Sequence, residues 1–428
     1  MKTNNQASFK TADPKKNKKD ASLRDVSFLT AMLCIATLPA GLFAQAPSIS
    51  YGGPQSYNIN TAITALSPTN SGGTVSAPGY SSSKSTLFSG GSYFGPLAQD
   101  ASGNFYMFDY SNSNDKTLVK LSSTGTNPVV LLTYLNSPED IAVDASGNVF
   151  ALDGSTLYKI TSGGTSSTVG TFNNANGIGI DAADNVYVAT YGSSVPYIIE
   201  VPAAGGNNIH LGSGLSYMTD VAVDASGNVY VCNDGNASIM EIPAGGGTPV
   251  TIASGFTTYG TSDLSKIIVD PAGNIFFSET NGQKVSEIPA GSNTPVLIGS
   301  GYFAPGGLAL DASGNLYVSD NGTVYEIAPT GGYYISPALP AGLSISATTG
   351  IISGTPSATA AAANYTVTAF NAAGPGTATV NIAVNPGLQP SLSYSTPQTY
   401  AAGTAITALT PTSSNIAAPG LPLLTASV

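Results

Sequence analysis

The sequence has no tryptophan, one histidine and two cysteines in 428 residues, and only 9% of its residues are charged. A single histidine, His210 in NNIHLGSG, has no acidic partner beside it and falls in a segment of outer-strand character, so a histidine-centred catalytic site is not the expected reading. Cys34 lies in the N-terminal apolar run, which leaves Cys232 without an intramolecular disulfide partner if that run is removed. Cys232 sits in the apolar stretch VYVC with no basic neighbour in sequence and reads as a small buried hydrophobe, not a reactive thiol. A glycine-rich phosphate loop, a Ser-His-Asp set, Cys/His metal spacing and a basic aromatic patch are all missing. Beyond residue 46 no run is apolar enough to span a bilayer.

The N-terminus has the order of a cleaved export signal. Lys2, Lys10, Lys15, Lys16, Lys18, Lys19 and Arg24 precede the apolar run Val26–Phe43, and Ala44-Gln45-Ala46 supplies an A-x-A cleavage site. A signal peptide is therefore predicted over residues 1–46, with an extracellular or cell-envelope location for the remainder. Pro39 and Gly41 argue against a membrane anchor, and the mid-run position of Cys34 argues against a lipoprotein signal. Cleavage removes seven of the 13 basic and three of the 24 acidic residues, leaving six against 21 and a net charge of −15. Such a surface repels phosphate backbones, so nucleic acid is not an expected partner.

What is abundant is turn and strand chemistry: 49 Gly and 28 Pro amid Ser, Thr, Asn, Ala and β-branched residues. That mixture predicts an all-β chain of many short strands. Six segments repeat one phrase of apolar strand, Asp, two or three small residues, Gly-Asn or Asp-Asn, and a second apolar strand. They are GPLAQDASGNFYMFD from Gly95, DIAVDASGNVFALD from Asp140, GIGIDAADNVYVAT from Gly177, DVAVDASGNVYVCN from Asp220, KIIVDPAGNIFFSE from Lys266 and GLALDASGNLYVSD from Gly307. The repeated Asp recurs at 100, 144, 181, 224, 270 and 311, a spacing that fits four short strands per unit. A third strand follows (TLYKI, SIMEI, TVYEI), then a fourth (PVTIASG, PVLIGSG). The last copy lacks its fourth strand, whereas KSTLFSGG (Lys84–Gly91) precedes the first copy without a unit of its own. Residues 84–91 are therefore expected to serve as the outer strand of the last unit and close a ring.

The phrase resembles the NHL-repeat β-propellers, over about residues 81–330. The resemblance implies six four-stranded blades around a central channel. Outside it, Ser48–Gly79 and Ser391–Gly420 match each other, and LPAGLSISATTGIISGTP with YTVTAFNAAG and ATVNIAV resembles the immunoglobulin-like modules of bacterial surface proteins. The expected organisation is a signal peptide (1–46), the first part of an immunoglobulin-like module (47–80), a six-bladed propeller (81–330), the second part of that module (331–386) and the start of a second, incomplete module (387–428). The propeller is thus inserted in, or flanked by, a β-sandwich; in the flanking alternative the first segment is only a linker strand.

Two sets of acids stand out. The turn acids Asp144, Asp224, Asp270 and Asp311 are expected to be structural, since an Asp there accepts N–H bonds of its own turn. The residues closing each second strand, Asp109, Asp153, Thr190, Asn233, Glu279 and Asp320, should share one rim. Of these, Asp109, Asp153, Glu279 and Asp320 are the candidate ligands for Ca²⁺ or another divalent cation. The alternative is that each merely caps a turn, with no cofactor. The expected function is a secreted or cell-surface protein that binds a protein or glycan ligand without catalysis; a metal-dependent hydrolase or lyase at the acidic rim, and a structural spacer, are the alternatives.

Overall fold

The computed structural model describes residues 45–90, 93–112, 115–191, 197–258, 261–387, 391–395 and 398–414. The predicted signal peptide, up to residue 44, lies outside these, as does the end of the second module copy. Among the described residues no helix is long and apolar enough to cross a membrane.

Short strands rich in Val, Ile, Leu, Phe and Tyr, punctuated by Asp-x-x-Gly-Asn, fold into six antiparallel four-stranded sheets. We number them blades 1–6 by their repeated Asp. The innermost strands are Tyr93–Gln99, Pro138–Val143, Ala175–Ile180, Met218–Val223, Leu264–Val269 and Pro305–Leu310. Each sheet is apolar on both faces because each is pressed between two neighbours. Six clusters of buried side chains fill the six junctions, from Ile141 and Phe108 between blades 1 and 2 to Phe105 and Tyr317 between blades 6 and 1. Blade 6 takes its outer strand from Ser85–Ser89, which runs antiparallel to Thr323–Ile327. Phe88 of that strand lies over Gly125 of blade 1 and meets Phe105 edge-on at 5.7 Å. The ring is thus fastened where the start and the end of the repeat array meet.

The turn between the first two strands repeats closely. Gly103, Gly147, Gly227, Gly273 and Gly314 occupy φ between +77° and +87°, a region glycine enters without penalty. In blade 3, where the phrase reads Ala-Ala-Asp-Asn, Asp184 takes the left-handed position at φ +63°.

The second body is a five-stranded sheet ordered Gln55–Asn58, Gly374–Asn385, Ala360–Asn371, Pro329–Ser336 and Gly79–Tyr80. The small hairpins Leu343–Ile345/Ile352–Gly354 and Ile49–Ser50/Thr69–Asn70 cover its core of Tyr333, Ile335, Ile352, Val367, Val380 and Ile382. Segments from both sides of the propeller build this one sandwich: Gln55–Asn58 pairs in parallel with Ile382–Asn385, and Leu66 bridges Ile352. The chain leaves for the propeller and returns from it on adjacent strands, Gly79 opposite Gly331 and Tyr80 opposite Pro329. The propeller is inserted between strands of the sandwich, and Ser48–Gly79 contributes Gln55–Asn58 and Gly79 to its sheet.

The sandwich rests on the turns of blades 5 and 6. The Tyr80 hydroxyl donates to the Gly314 carbonyl (2.9 Å), and its ring meets Phe276 and Tyr334 edge-on at 5.5 and 6.1 Å. This contact buries Asp270 and Glu287. Burial pushes the Asp270 carboxyl up to about 6. Burial, then the charge of Asp270, pushes Glu287 up to about 7.

Candidate functional site at the propeller channel

The two ends of the ring differ in chemistry. At the end carrying the repeated turns, Asp144 Oδ1 accepts the backbone N–H groups of Ser146 (3.0 Å) and Asn148 (2.8 Å), and Oδ2 accepts the Asn148 side-chain amide (2.6 Å). Asp224, Asp270 and Asp311 repeat the arrangement. The side-chain Oδ1 atoms of Asn148, Asn228 and Asn274 accept an N–H from the turn after the third strand, tying two turns of one blade together. Where residue six after the Asp is Tyr, as at Tyr230 and Tyr317, its hydroxyl donates to the same carboxylate.

The opposite end carries the predicted rim. Asp153 accepts N–H bonds from Asn136 (3.0 and 3.2 Å) and Ser137 (2.6 Å), the residues leading into its own blade. Asp320 does the same for Phe303 and Ala304 and also faces Lys84 Nζ at 3.5 Å. Asn233 accepts from Ser216 N–H (2.7 Å), Asp109 from Ser111 N–H (2.8 Å), and Thr190 donates to the Tyr197 carbonyl (2.8 Å). Glu279 is buried 3.9 Å from Lys284, with burial foremost raising its carboxyl. Asp153, Asn233 and Asp320 thus latch the loops at which their blades begin, while Asp109 and Thr190 hold the loop that follows their own strand. The structure does not bring Asp109, Asp153, Glu279 and Asp320 together, and among the described residues no three His, Cys, Asp or Glu side chains converge to hold a metal ion. His210 is exposed and stacks on Tyr197, with ring centroids 4.0 Å apart. Cys232 is fully buried, and burial pushes its thiol well up, away from the reactive thiolate.

Deeper in the same end lies a group that the sequence reading passed over. The innermost strands line a cavity of about 280 Å³ with aliphatic side chains, among which only Asp140, Asp220 and Lys266 are charged. All three occupy one position of the repeat, four residues before the turn Asp, where the other copies have Pro96, Gly177 and Gly307. Lys266 of blade 5 reaches Asp140 of blade 2, the blade directly opposite in a ring of six, at 2.7 Å, and stands 3.7 Å from Asp220 of blade 4. Asp140 accepts the Ile178 N–H (2.8 Å) and Asp220 the Ile267 N–H (2.9 Å), so each carboxylate also clasps the next blade. Gly177 is needed beside them: a Cβ there would meet Asp220 Oδ1 at 2.4 Å. Burial, helped by the charge of Asp140, drives the Asp220 carboxyl well up against the pull of Lys266. Burial pulls Lys266 down, but the two acids outweigh it and hold the ammonium charged. The result is an ionic bar across the channel. A signal existed in the sequence: three charges in a strand position that is otherwise Gly or Pro.

Fold and channel together define a six-bladed β-propeller carrying an immunoglobulin-like module. Residues 311–385 match the family described as "Putative Ig domain", a stretch that begins at the Asp311 turn of blade 6 and ends with the strand Gly374–Asn385 of the sandwich. No curated protein matches the chain. Among solved structures, the chain is similar to XC5397 from Xanthomonas campestris, described as a gluconolactonase, at 14% identity and a TM-score of 0.50, covering 63% of this chain and 98% of that one. A streptogramin B lyase structure is similar at 12% identity and a TM-score of 0.43, covering 58% of this chain and 97% of that one. An auxiliary nutrient binding protein from Bacteroides thetaiotaomicron is similar at 12% identity and 0.46, covering 67% and 77%. At 14% identity the first likeness shows the fold and nothing of the chemistry.

Proposed function

We propose that this is an exported binding or display protein whose propeller offers its outer surfaces, not its channel, to a protein or glycan ligand. One observation carries the reading: the channel is crossed by the charges of Asp140, Lys266 and Asp220, while the rim acids Asp109, Asp153 and Asp320 are spent on loop N–H groups and Glu279 faces Lys284. A metal-dependent hydrolase or lyase would need those acids free and convergent at the channel mouth. The N-terminal signal pattern and the surplus of acid over base support an extracellular or cell-envelope setting. The test is a glycan and protein binding screen on residues 47–428, paired with metal analysis of the purified protein. Ligand capture by metal-free protein is the expected result. A stoichiometric divalent ion, lost on Asp153→Ala or Asp320→Ala, would overturn the reading in favour of the hydrolase.

A further inference from the structure

The segment Ser391–Ser414 repeats Ser48–Ser71 at a constant offset of 343 residues, and it folds locally in the same way. In the first copy Ile49 pairs with Asn70 and Ser50 with Thr69. In the second, Leu392 pairs with Ser413 and Ser393 with Thr412, the same register. What differs is cover. Ile49 is buried in the sandwich core, and Tyr51, Tyr57, Ile63 and Leu66 pack against it. Their counterparts Leu392, Tyr394, Tyr400, Ile406 and Leu409 are all exposed, from 39% to 59%. An apolar stripe of this kind on a segment with little polar charge is a surface without its partner.

The partner of the first copy is visible. It is the Pro329–Asn385 half, which receives Gln55–Asn58 as a parallel edge strand and bonds Ile63 and Leu66 through Gly354 and Ile352. Two glycines in that half make the room: a Cβ on Gly376 would strike Pro47, and one on Gly331 would strike Ala77. We propose that Ser391–Ser414 is a docking surface for a polypeptide segment of this same kind: two long antiparallel strands with alternating apolar residues and glycine where the incoming chain passes. The partner adds the missing sheet and covers Leu392, Tyr400 and Ile406 as the first half covers Ile49 fully and Tyr57 and Ile63 in part. This is β-strand addition, in which the backbone ladder supplies affinity and the apolar stripe fixes the register. It stands apart from the propeller's own role.

The test uses the full chain and, as probe, a labelled polypeptide with the sequence of residues 329–387. One-to-one binding is expected, with slowed amide exchange over 391–414. Leu392→Asp and Ile406→Asp, both on exposed positions and so without effect on the melting temperature, should each weaken binding about tenfold or more. A chain ending at Gly387 should not bind. Equal binding by that shortened chain would mean exchange into the first sandwich and would overturn the proposal, as would no binding at all. A second arm avoids the solubility of a free probe: residues 331–387 are joined directly after Gly420. The added half should resist protease and protect 391–414. If it is digested as readily in this fusion as in the same fusion carrying Leu392→Asp, the surface is not a docking site.

Discussion

Glu287→Gln should flatten part of the pH dependence of stability, by an amount that the site itself sets. Glu287 is 5% exposed beneath the sandwich, and burial with the nearby Asp270 raises it from 4.5 to about 7. The folded protein therefore holds this proton more tightly than the unfolded chain does. Its contribution is complete below the unfolded value, near pH 4.5, and is lost as pH rises through 7. At 1.36 kcal/mol for each pKa unit the full loss is about 3 kcal/mol, most of it between pH 5 and pH 8. Glutamine keeps the shape and has no proton to lose. Urea unfolding at those two pH values should show wild type losing about 2 to 3 kcal/mol more than the variant. Glu200, Glu241 and Glu326, also raised by burial and by Asp181, Asp224 and Asp311, tilt both proteins the same way, so the difference between slopes is the readout. Parallel slopes for wild type and variant would refute the reasoning.

Lys266→Met should cost about 3 to 5 kcal/mol, because it leaves Asp140 and Asp220 buried without their cation, and the loss should shrink when Asp140→Asn is added; denaturant melts of the single and double variants check both. Phe88→Ala should destabilise the ring by about 2 kcal/mol, less than a fully buried phenylalanine because Phe88 is half-buried; unchanged urea unfolding would mean that the closing strand is not holding blade 6 to blade 1. His210→Ala should leave stability within about 0.5 kcal/mol and any ligand binding intact, since the ring is exposed and only stacks on Tyr197; loss of binding in the same screen would put the blade 3 edge in the binding surface.

The repeat was legible because its chemistry is local. Asp144 bonds residues two and four places on, so the phrase Asp-x-x-Gly-Asn carries its own turn wherever it occurs. The closing strand could be read too, since KSTLFSGG has the pattern of an outer strand and no blade of its own. The rim was legible as a position but not as a direction: sequence placed Asp153 and Asp320 at one end of the ring, and only the fold shows them turned toward their entry loops. The ionic bar was not legible because Asp140 and Lys266 meet only through the closure of six blades, which sets the second opposite the fifth. The buried pair Asp270 and Glu287 depends on where the sandwich comes to rest, and no local pattern encodes that.

Gly79 and Gly331 face each other across one rung of the sandwich sheet, with Ser81 N–H bonded to the Ala328 carbonyl just beyond. Everything between them is, to the sandwich, the loop of a hairpin. Loop closure grows only with the logarithm of length, so replacing a short turn by a ring of six blades costs the sheet about as little as a few doublings of a flexible loop would. The blades far from that junction are then free to change without the sandwich registering the difference, whereas blades 5 and 6, on which Tyr80 and Tyr334 rest, are tied to it.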